Sequence, residues 1–200
     1  MSRPRLAPGR LDAASTHHPL VPTWVANLTA ALAVKQPRRA HPQTDQGGRR
    51  PAAVLVALVD TQIGPQLLLT RRTTTLSDYP GYISLPGGSV EPTDRTPVDT
   101  ALREAGEETG LDPRSVQVIG QLAERPAGSK YAVIPVIAWS SRLQFASRSN
   151  PDEVTRVALV PLAELVKHTT PQTRRRPSHV GPIGPMTADV IAEVAASCGV

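Results

Sequence analysis

Apolar residues along the chain fall into runs of two kinds. "AAVLVALVD" and "QLLLTRR" are nearly continuous and flank "TQIGP", which predicts a strand pair about a Gly-containing turn. "SVQVIGQLAE", "KYAVIPVIAW" and "EVTRVALVPL" predict further strands. Helical spacing recurs in residues 23–34, where Trp24, Leu28 and Leu32 share a stripe after Thr23 as candidate N-cap, and in the tail, where Val190, Ile191, Val194 and Ala195 do. A third helix is punctuated at both ends. Thr96 offers a hydroxyl cap, Pro97 fits the first turn, Asp99 stands three after the cap, and Gly110 supplies the left-handed stop. At 100° per residue Val98, Ala101, Leu102, Ala105 and Thr109 share the flank that would pack on a sheet. Glu104, Glu107 and Glu108 fan out on another flank, with Arg103 at its edge, and Ala105 and Gly106 keep the surface beside them low. Strands bracketing helices over about 150 residues predict one α/β domain, a mixed sheet between helical layers. No internal repeat is visible. The polar stretch "KQPRRAHPQTDQGGRRP" divides the chain into a basic, Pro-rich N-terminal arm with a short helix, residues 1–50, and a domain over residues 51–200.

Composition changes this picture little. Two hundred residues with 3% aromatics and 21 prolines predict an aliphatic core and an irregular periphery. The single cysteine, Cys198, excludes an internal disulfide and suits a reducing cytoplasm, where it reads as a free thiol. The net charge of +5 is not spread evenly. Residues 1–50 hold eight Lys and Arg against two Asp, while the remaining 150 hold fourteen against fifteen Asp and Glu. The basicity belongs to the arm, which lacks interleaved aromatics and reads as a solvated tail, not a nucleic-acid surface. The start has no apolar signal region, and "AAVLVALV" is too short to span a bilayer, so the expectation is a cytoplasmic protein without membrane association. His17, His18 and His41 have no Cys or carboxylate partners at ligand spacing and are not expected to bind metal.

Charge placement matters more on the third helix. Like charges at i,i+4 disfavour a helix by a few tenths of a kcal/mol, so crowding Glu104, Glu107 and Glu108 has one bland explanation and one functional one. The bland one is a solvated acidic face. The functional one is a hard divalent cation, since Mg²⁺ takes one or two carboxylates together with substrate phosphate and water. The preceding "LPGGSVEPTD" favours the second, because a Gly-Gly turn straight after a strand lets backbone N–H groups of Gly87 and Gly88 come close to a bound group.

These residues resemble the Nudix hydrolases, whose box runs G-x5-E-x7-R-E-U-x-E-E-x-G-U with U a bulky apolar residue. Arg103, Glu104, Ala105, Glu107, Glu108, Gly110 and Leu111 fill its second half, Ala105 as a small substitute. In the first half Asp94 stands where the family has Glu, and eight residues precede Arg103 instead of seven. That spacing is similar to the coenzyme A diphosphatase branch. So is an upstream element of the form L-L-T-x-R-(S/A)-x3-R-x3-G-x3-F-P-G-G, matched by Leu68, Leu69, Thr70, Arg72, Gly81, Pro86, Gly87 and Gly88. Thr73, Ser77 and Leu85 depart from it. "EVTRVALVPLAEL" also looks like the late strand and turn of many Nudix proteins, so the resemblance covers about residues 50–165.

The resemblance implies a Nudix-type α/β/α sandwich and hydrolysis, dependent on Mg²⁺ or Mn²⁺, of a nucleoside diphosphate linked to another group. It implies cations held by Glu104 and Glu108 with Glu107 completing the site, and Arg103 orienting a box carboxylate. The motif leaves the general base open between Glu107 and a loop acid such as Glu153. Arg72 suits a substrate phosphate and equally a strand-end surface position. The first reading is a diphosphatase of coenzyme A or acyl-CoA giving 3′,5′-ADP and 4′-phosphopantetheine. The alternatives are a hydrolase of ADP-ribose, a dinucleotide or a nucleoside triphosphate, and a catalytically silent nucleotide-binding domain. A homodimer is an open option. Ser77 in place of arginine implies weaker discrimination between coenzyme A and its dephospho form, unless Arg174, Arg175 or Arg176 compensates.

Overall fold

The structure is a computed structural model that describes residues 21–33, 48–75, 79–146, 154–170, 173 and 181–200. In chain order it contains α1 (Thr23–Ala33), β1 (Arg50–Val59), β2 (Gln66–Arg72), β3 (Ile83–Ser84), β4 (Gly87–Ser89) and α2 (Pro97–Thr109). A 3₁₀ turn over Pro113–Ser115 leads to β5 (Gln117–Gln121), β6 (Arg125–Ala127), β7 (Tyr131–Ser140), β8 (Val154–Pro161), α3 (Leu162–Val166) and α4 (Pro185–Cys198).

The strands form one mixed sheet ordered β3-β2-β1-β7-β5, with β4 also paired to β1, β6 to β7 and β8 to β2. Strands β1 and β7 run parallel through ten residue pairs, from Arg50 and Tyr131 to Val59 and Ser140, and the other ladders are antiparallel. A central parallel pair covered on both faces has no solvated side, which is why "AAVLVALV" is continuously apolar instead of alternating. The expected β1–β2 hairpin forms, but only Leu58 with Leu67 and Val59 with Gln66 pair in it. Beyond the turn the strands part, β2 pairing along its length with β8 and β1 with β4.

Alternate residues of β1 separate two cores. Ala53, Leu55 and Ala57 pack with Leu68, Val136 and Ala138 beneath Ala101 and Ala105 of α2. Val54, Val56 and Leu58 join Leu67, Ile137 and Trp139 beneath α1, α3 and α4. The layers are therefore α/β/α. The tail stripe of Val190, Ile191, Val194 and Ala195 is fully buried, as its spacing predicts. Helix α1 buries Val25, Leu28 and Leu32, and its Trp24 lies edge-on to Trp139 at 6.4 Å and donates its indole N–H to Asp60 at 2.9 Å. Its first carbonyl acceptor is Pro22, bonded by the N–H groups of Val25 and Ala26, so Pro22 takes the cap position and Thr23, the expected cap, is the first helical residue. No helix among the described residues is long and apolar enough to cross a membrane.

Candidate active site

Helix α2 begins and ends where its local chemistry dictates. The Thr96 hydroxyl accepts from the Asp99 N–H at 3.2 Å, and the Asp99 carboxylate accepts from the Thr96 N–H at 2.9 Å, closing a reciprocal capping box. At the other end Gly110 adopts φ 76° and donates to the Gly106 carbonyl. The small flank of Ala101 and Ala105 lies on the sheet, and this orientation turns Glu104 and Glu108 toward β4.

Gly87 and Gly88 lie in strand β4, paired with Val54 and Ala53, and not in the turn that two successive glycines predict. Glycine is still required there, for closeness of approach. A Cβ on Gly87 would sit 2.4 Å from the Ala53 carbonyl oxygen, and one on Gly88 would sit 2.4 Å from Oε1 of Glu104. Strand β4 thus presents bare backbone to the acidic helix. Oε2 of Glu108, 5% exposed, accepts from the Gly87 N–H at 3.2 Å.

Arg103 is enclosed by acids. Its Nε and Nη2 donate to the two carboxylate oxygens of Asp94 at 3.1 and 2.9 Å, and Nη2 also reaches the Ser89 carbonyl at 3.0 Å. Its Nη1 is 3.1 Å from both Glu104 and Glu107 and 3.7 Å from Glu91. Asp94 further accepts from the Thr100 hydroxyl at 2.8 Å and the Glu91 N–H at 2.9 Å. The Arg103 hydrogen bonds are the main reason its carboxyl is held down at about 2, against the desolvation that would raise it. The same fork raises the guanidinium above its usual value. The residue that departs from the box therefore anchors the box arginine. Its count along the chain does not foretell this, because the loop path from Glu91 to Thr96 sets where Asp94 lands.

Glu104 and Glu108, one helical turn apart, thus meet the same strand, whereas Glu107 is exposed and turned to Arg103. Among the described residues no three His, Cys, Asp or Glu side chains are disposed together to hold an ion. The chemistry of the donors nevertheless fits Mg²⁺ or Mn²⁺, which favour carboxylate oxygen. Cys198 is buried, and burial pushes its thiol up to about 11, so it carries no thiolate at neutral pH.

On the other side of β4 lies a cavity of about 770 Å³, whose wall includes Arg72, Tyr79, Tyr82, Gly87, Gly88 and Lys130. Ala52 and Val54 of β1 also border it, which places it on the α1/α4 face of the sheet. The three glutamates are not part of its wall. Arg72, Gly87 and Gly88, singled out in the sequence, come together here. Tyr79, Tyr82 and Lys130 are not legible in the sequence, because a loop and a strand-connecting turn meet only through the sheet order. Ser77, Glu153, residues 174–176, His17, His18 and His41 lie outside the described residues.

A NUDIX domain model matches residues 48–179. The chain is 37% identical over 142 residues to an uncharacterized Nudix hydrolase, NudL, of Photorhabdus laumondii, covering 69% of this chain and 75% of that protein. It is 36% identical over 163 residues to a NudL of Escherichia coli, with coverages of 76% and 84%. Among solved structures, a NUDIX hydrolase from Alicyclobacillus acidocaldarius superposes with a TM-score of 0.55 at 19% identity, covering 78% of this chain and 93% of that one. RenU, a Nudix hydrolase of M. smegmatis, gives 0.53 at 23% identity, with coverages of 77% and 94%. These likenesses carry the fold.

Proposed function

The chain belongs to the Nudix family of hydrolases, which act on nucleoside diphosphate derivatives, and we propose that its substrate is coenzyme A or an acyl-CoA. The diphosphate would be cut to 3′,5′-ADP and (acyl-)4′-phosphopantetheine. One observation carries this reading. Arg72, Gly87 and Gly88, which belong to the upstream element resembling the coenzyme A branch, border one cavity, and β4 joins that cavity to the acidic helix.

Glu104 and Glu108 would hold Mg²⁺ or Mn²⁺, with Glu107 contributing from the helix surface. When bound there, such a cation would neutralise diphosphate charge and would lower the pKa of an attacking water. Arg103 is a positioning residue in this reading. Locked to Asp94, it fixes the carboxylates of Glu104 and Glu107 through its Nη1. Arg72 meets a phosphate oxygen with a planar fork that suits such a group. Because Gly87 and Gly88 carry no Cβ, β1 and the Glu104 carboxylate close directly on β4, and these glycines would hold the acids beside the diphosphate.

The test is product analysis by mass spectrometry. Coenzyme A, an acyl-CoA, ADP-ribose, a dinucleotide and a nucleoside triphosphate are each incubated with Mg²⁺ or Mn²⁺. The reading expects 3′,5′-ADP and 4′-phosphopantetheine as the fastest-formed products. A clear preference for any of the other three substrates overturns the coenzyme A assignment. Absence of turnover on all five overturns hydrolysis as the function.

A further inference from the structure

The chain is poor in aromatic residues, with two Trp, three Tyr and one Phe, yet all three tyrosines line the one cavity beside β4. The two tryptophans pair with each other in the opposite corner of the core, where they fasten α1. Tyr131 is already engaged, since the Arg50 guanidinium lies over its ring at 5.9 Å. Tyr79 and Tyr82 are arranged differently. Their centroids are 5.5 Å apart with the rings at 73°, an edge-to-face pair and not a stack. Tyr79 remains 44% exposed and is the only described residue other than glycine with positive φ, at 52°. A bulky side chain on left-handed backbone is uncommon, and core packing does not explain it where the ring is half open. Two cationic side chains, Arg72 and Lys130, border the same space.

We propose that Tyr79, supported by Tyr82, is the stacking platform for the nucleobase of the substrate, with Arg72 and Lys130 facing its phosphates. The inference rests on the reading of the chain as a hydrolase of nucleoside diphosphate derivatives, but not on coenzyme A being the derivative. An aromatic face recognises a planar base whatever its substituents, whereas a basic side chain recognises phosphate with or without a base. The two halves of the subsite are therefore separable by ligand.

The test uses the full chain and two probes, 3′,5′-ADP and inorganic diphosphate, with affinities measured by calorimetry. Tyr79→Ala is expected to weaken 3′,5′-ADP binding by about ten- to a hundredfold and to leave inorganic diphosphate unchanged. Tyr79→Phe is expected to stay within about threefold of wild type for both probes. Lys130→Gln is expected to weaken both. Nuclear Overhauser contacts between the adenine protons and tyrosine ring protons in the wild type provide a readout that needs no variant, and three tyrosines make the assignment tractable. Unchanged 3′,5′-ADP affinity in Tyr79→Ala, or adenine contacts only to other residues, overturns the subsite. A Tyr79-dependent affinity for 3′,5′-ADP in a protein that fails to hydrolyse coenzyme A supports the subsite and removes only the proposed substrate.

Discussion

The two faces of the central sheet are packed with side chains of different size. Beneath α2 the contacts are largely alanine, from Ala53, Ala57 and Ala138 of the sheet and Ala101 and Ala105 of the helix. Beneath α1 and α4 they are Leu28, Val56, Leu58, Leu67, Ile137 and Ile191. Small residues let a helix approach its neighbour closely, and here the approach brings Glu104 and Glu108 to the backbone of β4. Large branched residues bury more apolar area each, so most hydrophobic stabilisation resides on the other face. The acidic face is built for position and the aliphatic face for stability. That division is open to test.

The largest effect should come from the acidic face. Glu104→Gln or Glu108→Gln is expected to lower turnover by about a hundredfold or more while circular dichroism stays native, since each removes an anionic oxygen where charge must be balanced. Thermal stability in metal-free buffer should hold or rise slightly as the crowding of carboxylates is relieved. Full activity in both variants would remove the proposed site.

On the aliphatic face, Leu28→Ala should act in the opposite sense. Leu28 is fully buried in α1, and its truncation is expected to cost about 2–5 kcal/mol in denaturant unfolding, with kcat of the folded fraction unchanged. A loss of kcat without a loss of stability would dissolve the contrast between the faces.

Neighbouring glycines sharpen it further. In Gly87→Ala the new methyl meets the β1 backbone at Ala53, which has no room to yield, and a cost of about 1–3 kcal/mol is expected. In Gly88→Ala the nearest atoms it meets are the end of the Glu104 side chain, which can swing aside. Stability should then change by less than about 1 kcal/mol. Turnover should drop about tenfold or more as the carboxylate is displaced. Equal unfolding midpoints for the two variants would contradict this geometry.

Acid titration tests the anchor of Arg103. The Asp94 pKa falls from 3.8 to about 2 on folding, chiefly through its hydrogen bonds from Arg103. Its contribution is therefore complete above about pH 4 and disappears as pH drops toward 2, amounting to at most about 2 kcal/mol. Asp94→Asn should flatten the wild-type stability profile in that window, and an unchanged profile would mean the pair contributes nothing.

Elements defined by their own residues were legible in the sequence, whereas elements defined by their partners were not. Thr96, Pro97, Asp99 and Gly110 bracket α2 through local hydrogen bonds, so the helix and its acidic flank follow directly from spacing. The runs of β1 and β7 are long and apolar because both faces are covered. Strands β3, β4 and β6 are two or three residues long and exist through bonds to β2, β1 and β7, with Ile83 of β3 also bridged to Ile183. Gly87-Gly88 accordingly resembles a turn until β1 lies beside it. The same reasoning separates the candidate site residues. The three glutamates come from one helix, while Tyr79, Tyr82 and Lys130 meet only because β3 and the turn before β7 close on the same cavity.

The central claim is that acids on one face of the sheet and the cavity on the other serve one reaction across β4. Steady-state kinetics of coenzyme A hydrolysis in Glu108→Gln and Arg72→Gln test it most directly. The account predicts that Glu108→Gln lowers kcat by about a hundredfold or more, and that Arg72→Gln lowers kcat/KM about tenfold or more on the same substrate. Wild-type kcat/KM in Arg72→Gln, beside a collapsed kcat in Glu108→Gln, would show that the cavity takes no part in the reaction.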